Sequence, residues 1–398
     1  MKRILSVLLA VLLVCAFAGL TATARTDTYD NVIFMIGDGM GENHLKLAEQ
    51  ERGIHLFMTQ YCDLHGGSKT RSFSNVVTDS AAGGTALACG LRTTNGCVGV
   101  SPFDPLGFFS VPRSLAEAAK LSGRKVGVIT TDSNDGATPA AFSAHTSSRA
   151  NSKDICTQQI KSGYDLIWGA ASDSFDETLA KQNGFSVIRT RSEMLKLDRS
   201  QRSFAQFDYG ETWKTAASID SDSPSLSQMT TKAIAQLSGS DGFFLMVEGA
   251  HIDKMSHRSN NKDSYADKVA NAAEAVAEFD NAVAVAVSFA KLNGRTLVIV
   301  TADHETGAIQ LVDGKFTYTS SSHSSADVPL LVFGSEDLIA QGEHIENREV
   351  SQRVGKAMGL YDSFPAKDGG KLAAFFKRID AWFDRMLASV PAPYQCTK

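Results

Sequence analysis

NVIFMIGDGMG, Asn31 to Gly41, sets the reading of the whole chain. Its first half is an unbroken apolar run of strand length, with no polar residue at every second position. A strand with one wet face alternates, whereas one covered on both faces does not, and the latter kind belongs to parallel sheets. The run stops at Gly37, and Asp38 follows between glycines, a usual place for a turn. A buried strand that ends on an isolated acid raises the question of whether other strands do the same.

They do. VGVITT (Val126–Thr131) follows the helical stretch SLAEAAKLSG (Ser114–Gly123). GFFLMVEG (Gly242–Gly249), TLVIVTADH (Thr296–His304) and VPLLVFG (Val328–Gly334) are further strand-like runs. Between the first two of these lies SYADKVANAAEAVAEFDNAVAVAVSFAKLNG, an Ala-rich helical stretch that Gly294 stops. Strand–helix alternation implies an α/β protein: a mostly parallel central sheet with helices on both faces. No repeat, low-complexity tract or Pro-rich linker divides the chain, so residues 25–398 read as a single domain. Within it, the C-terminal stretch GGKLAAFFKRIDAWFDRML has helical apolar spacing and is expected to pack on the body of the chain.

The first 24 residues read differently. Lys2 and Arg3 precede an apolar stretch from Ile4 to Leu20, and Ala22-Thr23-Ala24 forms an A-x-A site. That is the pattern of a secretory signal peptide, so the protein is expected to be exported, to the periplasm or beyond. No later apolar run is long enough to span a bilayer. A net charge of −5 gives no case for nucleic acid or an anionic membrane surface. Cys62, Cys89, Cys97, Cys156 and Cys396 remain after cleavage. An odd count leaves a thiol over in a monomer, and a local Cys89–Cys97 bridge is a reasonable expectation across Gly90 and Gly96.

Chemistry gathers where the strands end. Beyond GFFLMV come Glu248, His251, Asp253, Lys254 and His257; beyond TLVIVTA come Asp303, His304 and Glu305. Open α/β sheets bind ligands beyond the carboxyl ends of their strands. Singly, Asp38 is a turn residue, Asp253 and His257 share a helix face, and His323 in SSSHSS is a solvated histidine. Together they would have to coincide at several strand ends. Imidazole with carboxylate suits Zn²⁺, and all-oxygen sets suit Mg²⁺. Two adjacent zinc ions would favour in-line displacement at phosphorus. VVTDSAAGGTALACG (Val76–Gly90) supplies a hydroxyl: Ser80 is either a helix cap or a nucleophile presented at a helix start.

These blocks resemble the alkaline phosphatases. VTDSAAGGT around Ser80 is similar to the signature of that family's phosphorylated serine, and NVIFMIGDGMG, GATPAAFSAHTSSR, FFLMVEGAHIDKMSH, TLVIVTADHETG and SSSHSSADVPLLVFG follow in the family's order. The resemblance implies hydrolysis of phosphate monoesters of broad range through a phosphoserine, with two Zn²⁺ and one Mg²⁺. It assigns Asp253, His257 and His323 to one zinc, and Asp38, Asp303 and His304 to the zinc that activates Ser80. Asp38, Thr138 and Glu248 fall at the magnesium site, Arg149 grips the phosphate, and Lys254 is a second phosphate contact or a solvated lysine. His251 and His145 are expected to be structural. Asp-Ser-Ala without a following Pro-x-Arg sets the chain apart from sulfatases. A homodimer or a monomer is implied, with an alkaline optimum. One departure stands out: Gly136 occupies a position where many members carry an acid or a histidine, which leaves the third ion's surroundings open. Asp135, beside it, is a substitute only if the loop shifts.

Overall fold

The computed structural model describes residues 28–104, 111–239, 241–257, 265–360 and 364. Residues 1–24, expected to be a signal peptide, the C-terminal stretch expected to pack on the body of the chain, and Cys396 lie outside them. Among the described residues, fourteen strands run in chain order: β1 (Asn31–Ile36), β2 (Leu64–Lys69), β3 (Lys125–Ser133), β4 (Leu166–Ala170), β5 (Ser186–Ile188), β6 (Ser203–Ala205), β7 (Phe243–Glu248), β8 (Thr296–Thr301), β9 (Glu305–Thr306), β10 (Gln310–Val312), β11 (Lys315–Thr317), β12 (His323–Ser324), β13 (Val328–Phe333) and β14 (His344–Glu346). Ten of them form one sheet in the order β14-β2-β13-β8-β1-β7-β3-β4-β6-β5.

β1 sits near the centre, parallel to both β7 and β8. All six of its residues are buried, as are all six of β7 and of β8. That is why each reads as a continuous apolar run. Their side chains alternate between two cores. Ile33, Met35, Leu245, Val247, Val298 and Val300 face the layer holding the helices Leu226–Leu237 and Tyr265–Asn293. Val32, Phe34, Phe244, Met246, Leu297 and Ile299 face the helices Ser80–Cys89, Leu115–Leu121 and Asn347–Ala357. Each such side chain, fully removed from water, contributes about 1.5–3 kcal/mol.

Register positions the site. Ile36 is level with Glu248 on one side and with Thr301 on the other. Thr130 of β3 is level with Glu248 in turn. Parallel strands that stop in line deliver the residues after them to one edge. β13 alone runs antiparallel to its neighbours β2 and β8, a direction that its apolar run did not disclose.

The expected Cys89–Cys97 bridge is absent. Cys62, Cys89, Cys97 and Cys156 are all free thiols. Cys89 points into the core at the end of a fully buried helix, while the Cys97 thiol faces the Ser147 carbonyl. Burial raises both thiols above the usual range.

Candidate active site

The helix Ser80–Cys89 settles the role of its first residues. Asp79, not Ser80, is the N-cap: its Oδ1 accepts the Ala82 N–H at 3.0 Å. Ser80 is the first residue inside the helix, and its hydroxyl is free of capping duty. All ten residues of the helix are buried, which their small size permits. At Gly83 the approach is closest: a Cβ there would stand 2.7 Å from the Asp303 carbonyl oxygen. The helix is therefore pressed against the segment that carries Asp303 and His304. Ser80 Oγ lies 3.2 Å from His304 Nε2 as a result.

His304 Nε2 is also 3.3 Å from Asp303 Oδ2 and 3.6 Å from Asp38 Oδ1. Asp303 Oδ1 accepts the N–H groups of Gly39 and of His304, which locks the turn after β1 to the turn after β8. The second group centres on Asp253, in the helix His251–Ser256, and His257, which follows it. Asp253 Oδ1 is 3.2 Å from His257 Nε2 and 3.5 Å from His323 Nε2. His323 is not a solvated loop residue. It lies in β12, which pairs with β9, and stacks on His304 with ring centroids 3.6 Å apart.

Both outer histidines are oriented from behind. His257 Nδ1 contacts the Ser321 carbonyl and His323 Nδ1 the Thr78 carbonyl, each at 2.9 Å. A carbonyl only accepts, so each Nδ1 carries a proton, and in the neutral ring each Nε2 presents a lone pair, whereas a protonated His257 donates from Nε2 to Asp253. Those two Nε2 atoms face each other at 3.2 Å. Metal-binding histidines have this arrangement, with a backbone acceptor fixing the tautomer.

Several buried polar atoms in the pocket are left unpaired by the protein. Asp38 Oδ1, Asp303 Oδ2 and Thr138 Oγ1 are buried without a hydrogen-bond partner among the described residues. Burial, and then the charges of Asp303 and Asp253, push Asp38 well above the usual carboxylate range. Burial pushes Asp303 up to about 8 and Glu248 to about 7. His304 is driven down to about 3 by burial and by His323, so its ring is neutral. Burial also works against ionised Asp253, but the His257 hydrogen bond and the neighbouring imidazoles hold it well below its ordinary value. Bare imidazole nitrogens, orphaned carboxylate oxygens and crowded acids fit divalent cations. Asp253, His257 and His323 are close enough to share one ion, and Asp38, Asp253 and His304 another.

Glu248 is near enough for its charge to act on Asp38, and Thr138 is beside Glu248. Glu248 ends β7 and accepts a hydrogen bond from Thr130; Thr138 sits in the helix Ala137–Ala141, which packs against β7. Arg149 stands at the pocket mouth, its Nη1 3.6 Å from Asp79 Oδ2. The same Oδ2 accepts the Gly96 N–H at 2.9 Å, so Asp79 joins helix cap, loop and guanidinium. Lys254 is not solvated: its Nζ lies 3.1 Å from Asp132 Oδ2 and 5.7 Å from the Tyr209 ring centroid. Burial opposes its charge, yet the nearby Asp132 carboxylate raises it above the ordinary lysine range. His251 and His145 each have their rings engaged by neighbouring groups. His251 stacks on Trp213, and His145 bridges the Gly99 carbonyl and Glu117.

The sequence reading missed three contributors. Asp79 is both the cap and the partner of Arg149, neither of which the sequence marks. Thr306 donates a hydrogen bond to Asp253 and lies 3.3 Å from His304 Nδ1, which ties the two metal-type groups together. Asp132 was not singled out at all. The other candidate beside Gly136, Asp135, stands near Cys156, whose thiol burial pushes up to about 11 with a smaller contribution from that carboxylate.

Fold and site together define an α/β protein with a metal-type pocket beyond the carboxyl ends of a parallel sheet. The alkaline phosphatase family model matches residues 29–167 and 161–352. The chain belongs to the alkaline phosphatase family. Alkaline phosphatase 4 of Bacillus subtilis is 35% identical over 310 residues, which are 71% of this chain and 62% of that protein. The Escherichia coli K12 alkaline phosphatase is 28% identical over 82% of this chain and 85% of its own length. The chain thus spans less than two thirds of the Bacillus relative. Among solved structures, alkaline phosphatase from the Antarctic bacterium TAB5 superposes with a TM-score of 0.69 at 30% identity, covering 84% of this chain and 99% of that one. A variant of the TAB5 enzyme has Mg bound in its M3 site. Among the described residues, no helix is long and apolar enough to cross a membrane.

Proposed function

We propose that the protein is an exported phosphomonoesterase that transfers the phosphoryl group to Ser80 and then to water. The observation that carries this reading is the placement of Ser80 Oγ, inside a helix start and 3.2 Å from His304, within a cluster of unpaired ligands. Asp253, His257 and His323 would hold one Zn²⁺, and Asp38, Asp303 and His304 the second. Asp38, Glu248 and Thr138 would hold Mg²⁺. Bound there, the cations supply positive charge that acidifies a hydroxyl or water and neutralises the leaving oxygen.

The chain's own residues do the rest. Arg149 offers a planar fork to two phosphate oxygens, and Asp79 holds that fork in place. Lys254 adds a second cation on the side of Glu248. Ser80 Oγ gives up its proton to solvent and bonds to phosphorus while the ester P–O bond breaks; the alkoxide leaves opposite the attack and takes a proton from solvent to depart as the alcohol. Water then attacks the phosphoserine from the vacated side, and the Ser80 Oγ–P bond breaks to release inorganic phosphate. Catalysis comes from positioning and charge neutralisation. The exposed mouth around Arg149 supports a broad range of leaving groups.

The test is metal analysis of the purified protein, combined with phosphate release from an aryl phosphate and acid trapping of phosphate on Ser80. Two zinc ions per chain, turnover and labelled Ser80 are expected. A bis-aryl phosphate turned over faster than the monoester, or turnover without labelled Ser80, would overturn the reading.

A further inference from the structure

Gly136 leaves a space beside the proposed magnesium site, and that space is filled from another element. A Cβ built on Gly136 would stand 2.5 Å from Asp132 Oδ2 and 3.0 Å from Asp132 Cγ. The Asp132 carboxylate therefore occupies the volume in which a side chain at 136 would begin. Backbone strain is not the reason for the glycine. Gly136 has φ −54° and ψ 155°, which any L residue adopts.

Asp132 is fixed at both ends. Its Oδ1 accepts the Ser133 N–H at 2.8 Å, and its own N–H donates to Thr130 Oγ1 at 2.8 Å. The Thr130 hydroxyl in turn donates to Glu248. The remaining oxygen, Oδ2, meets Lys254 Nζ at 3.1 Å, and the two side chains are 13% and 33% exposed. One residue thus links the lysine to the carboxylate that ends β7.

We propose that Asp132 is a positioning residue whose carboxylate replaces the side chain missing at Gly136 and anchors Lys254 at the phosphate side of the pocket, close to the Glu248 carboxylate proposed for the third ion. The inference rests on the phosphomonoesterase reading and adds to it a residue from the end of β3. It makes Asp132 and a side chain at 136 alternative occupants of one volume.

A double-mutant cycle tests this, read by calorimetric titration of Mg²⁺ and of inorganic phosphate into the zinc-loaded protein. Asp132→Ala keeps the main-chain N–H to Thr130 but frees Lys254 and removes a carboxylate beside the proposed third-ion site, so it is expected to weaken both phosphate and Mg²⁺ by about 10- to 100-fold, the usual scale for a group supporting a metal ligand. Gly136→Asp alone should also weaken it, because its Cβ meets the Asp132 carboxylate. The double variant Asp132→Ala/Gly136→Asp should bind Mg²⁺ and phosphate more tightly than either single variant, a restoration that general loosening of the fold does not produce. Asp132→Asn keeps the volume and removes the charge, so it should lose phosphate affinity as Asp132→Ala does. Unchanged Mg²⁺ and phosphate binding in Asp132→Ala, or a double variant as weak as the weaker single, would overturn the proposal. So would full phosphate affinity in Asp132→Asn. Labelling of Ser80 in the wild type is a separate readout, so a failed cycle with labelled Ser80 rejects Asp132 and leaves the phosphomonoesterase reading standing.

Discussion

The Nε2 atoms of His257 and His323 face each other at 3.2 Å, each ring held by a hydrogen bond from Nδ1 to a backbone carbonyl. Without a cation between them, two lone pairs and the Asp253 carboxylate crowd one small volume. Chelation should therefore lower thermal stability, and Zn²⁺ should restore it. A ligand at a thousand times its dissociation constant stabilises by about 4 kcal/mol. Scanning calorimetry with and without a chelator reads the effect. His323→Ala should shrink the difference, and an unchanged midpoint in the wild type would contradict the metal assignment.

Ser80 and Asp79 are adjacent but should behave differently on replacement. Ser80→Ala leaves the cap intact, so stability should barely change while turnover falls by at least about a thousandfold, as expected for loss of a nucleophile. Asp79→Ala removes the cap to Ala82, the acceptor for Gly96 and the partner of Arg149. It should cost about 1–2 kcal/mol of stability and raise KM more than it lowers kcat. Denaturant titration and steady-state kinetics on both variants separate the two roles. A Ser80→Ala enzyme with near wild-type turnover would remove the nucleophile assignment.

The contrast shows what the sequence discloses. β1, β7 and β8 were legible because strands covered on both faces are apolar throughout, and the acids after them were legible because they interrupt that pattern. The direction of β13 was hidden, since an apolar run reads the same in parallel and antiparallel pairing. The three-residue strands β5 and β6 are too short to carry a period. Asp132 escaped because its role is set by Lys254 and Gly136, and nothing within TTDSNDG marks the third residue over the sixth. The cysteine pairing failed for a related reason: closeness in sequence says nothing of which way each thiol points.

Gly83 offers a test of how tightly the nucleophile's helix is seated. A methyl group there would lie 2.7 Å from the Asp303 carbonyl oxygen and 3.1 Å from the Asp303 Cβ. The obstacle is backbone and cannot swing aside. Gly83→Ala should push the helix Ser80–Cys89 away from the segment after β8, costing about 1–3 kcal/mol as overpacking does. Its effect on turnover should exceed its effect on stability, because the displacement separates Ser80 from His304. Gly84→Ala is the control: its Cβ would find only ordinary contacts, 3.4 Å from Ala141 and from Thr138. Equal activity in the two variants would show that the close approach at Gly83 does not matter.

A final prediction lies away from the pocket and concerns acid behaviour. Asp280, in the helix Tyr265–Asn293, accepts the N–H groups of Phe57 and Met58 at 2.7 and 2.8 Å and so holds the start of the helix Phe57–Tyr61. Burial pushes its carboxyl up to about 6, and the two backbone donors only partly offset this. Its folded value thus lies above the unfolded one, and between about pH 4 and 6 the native state binds the extra proton. Stability from this group is present below that window and declines as pH rises through it, by on the order of 3 kcal/mol. Asp280→Asn removes the proton uptake and should flatten that part of the profile. Urea unfolding of both proteins at closely spaced pH values measures the difference. A wild-type curve no steeper than the variant's would show that the Asp280 carboxyl is not raised.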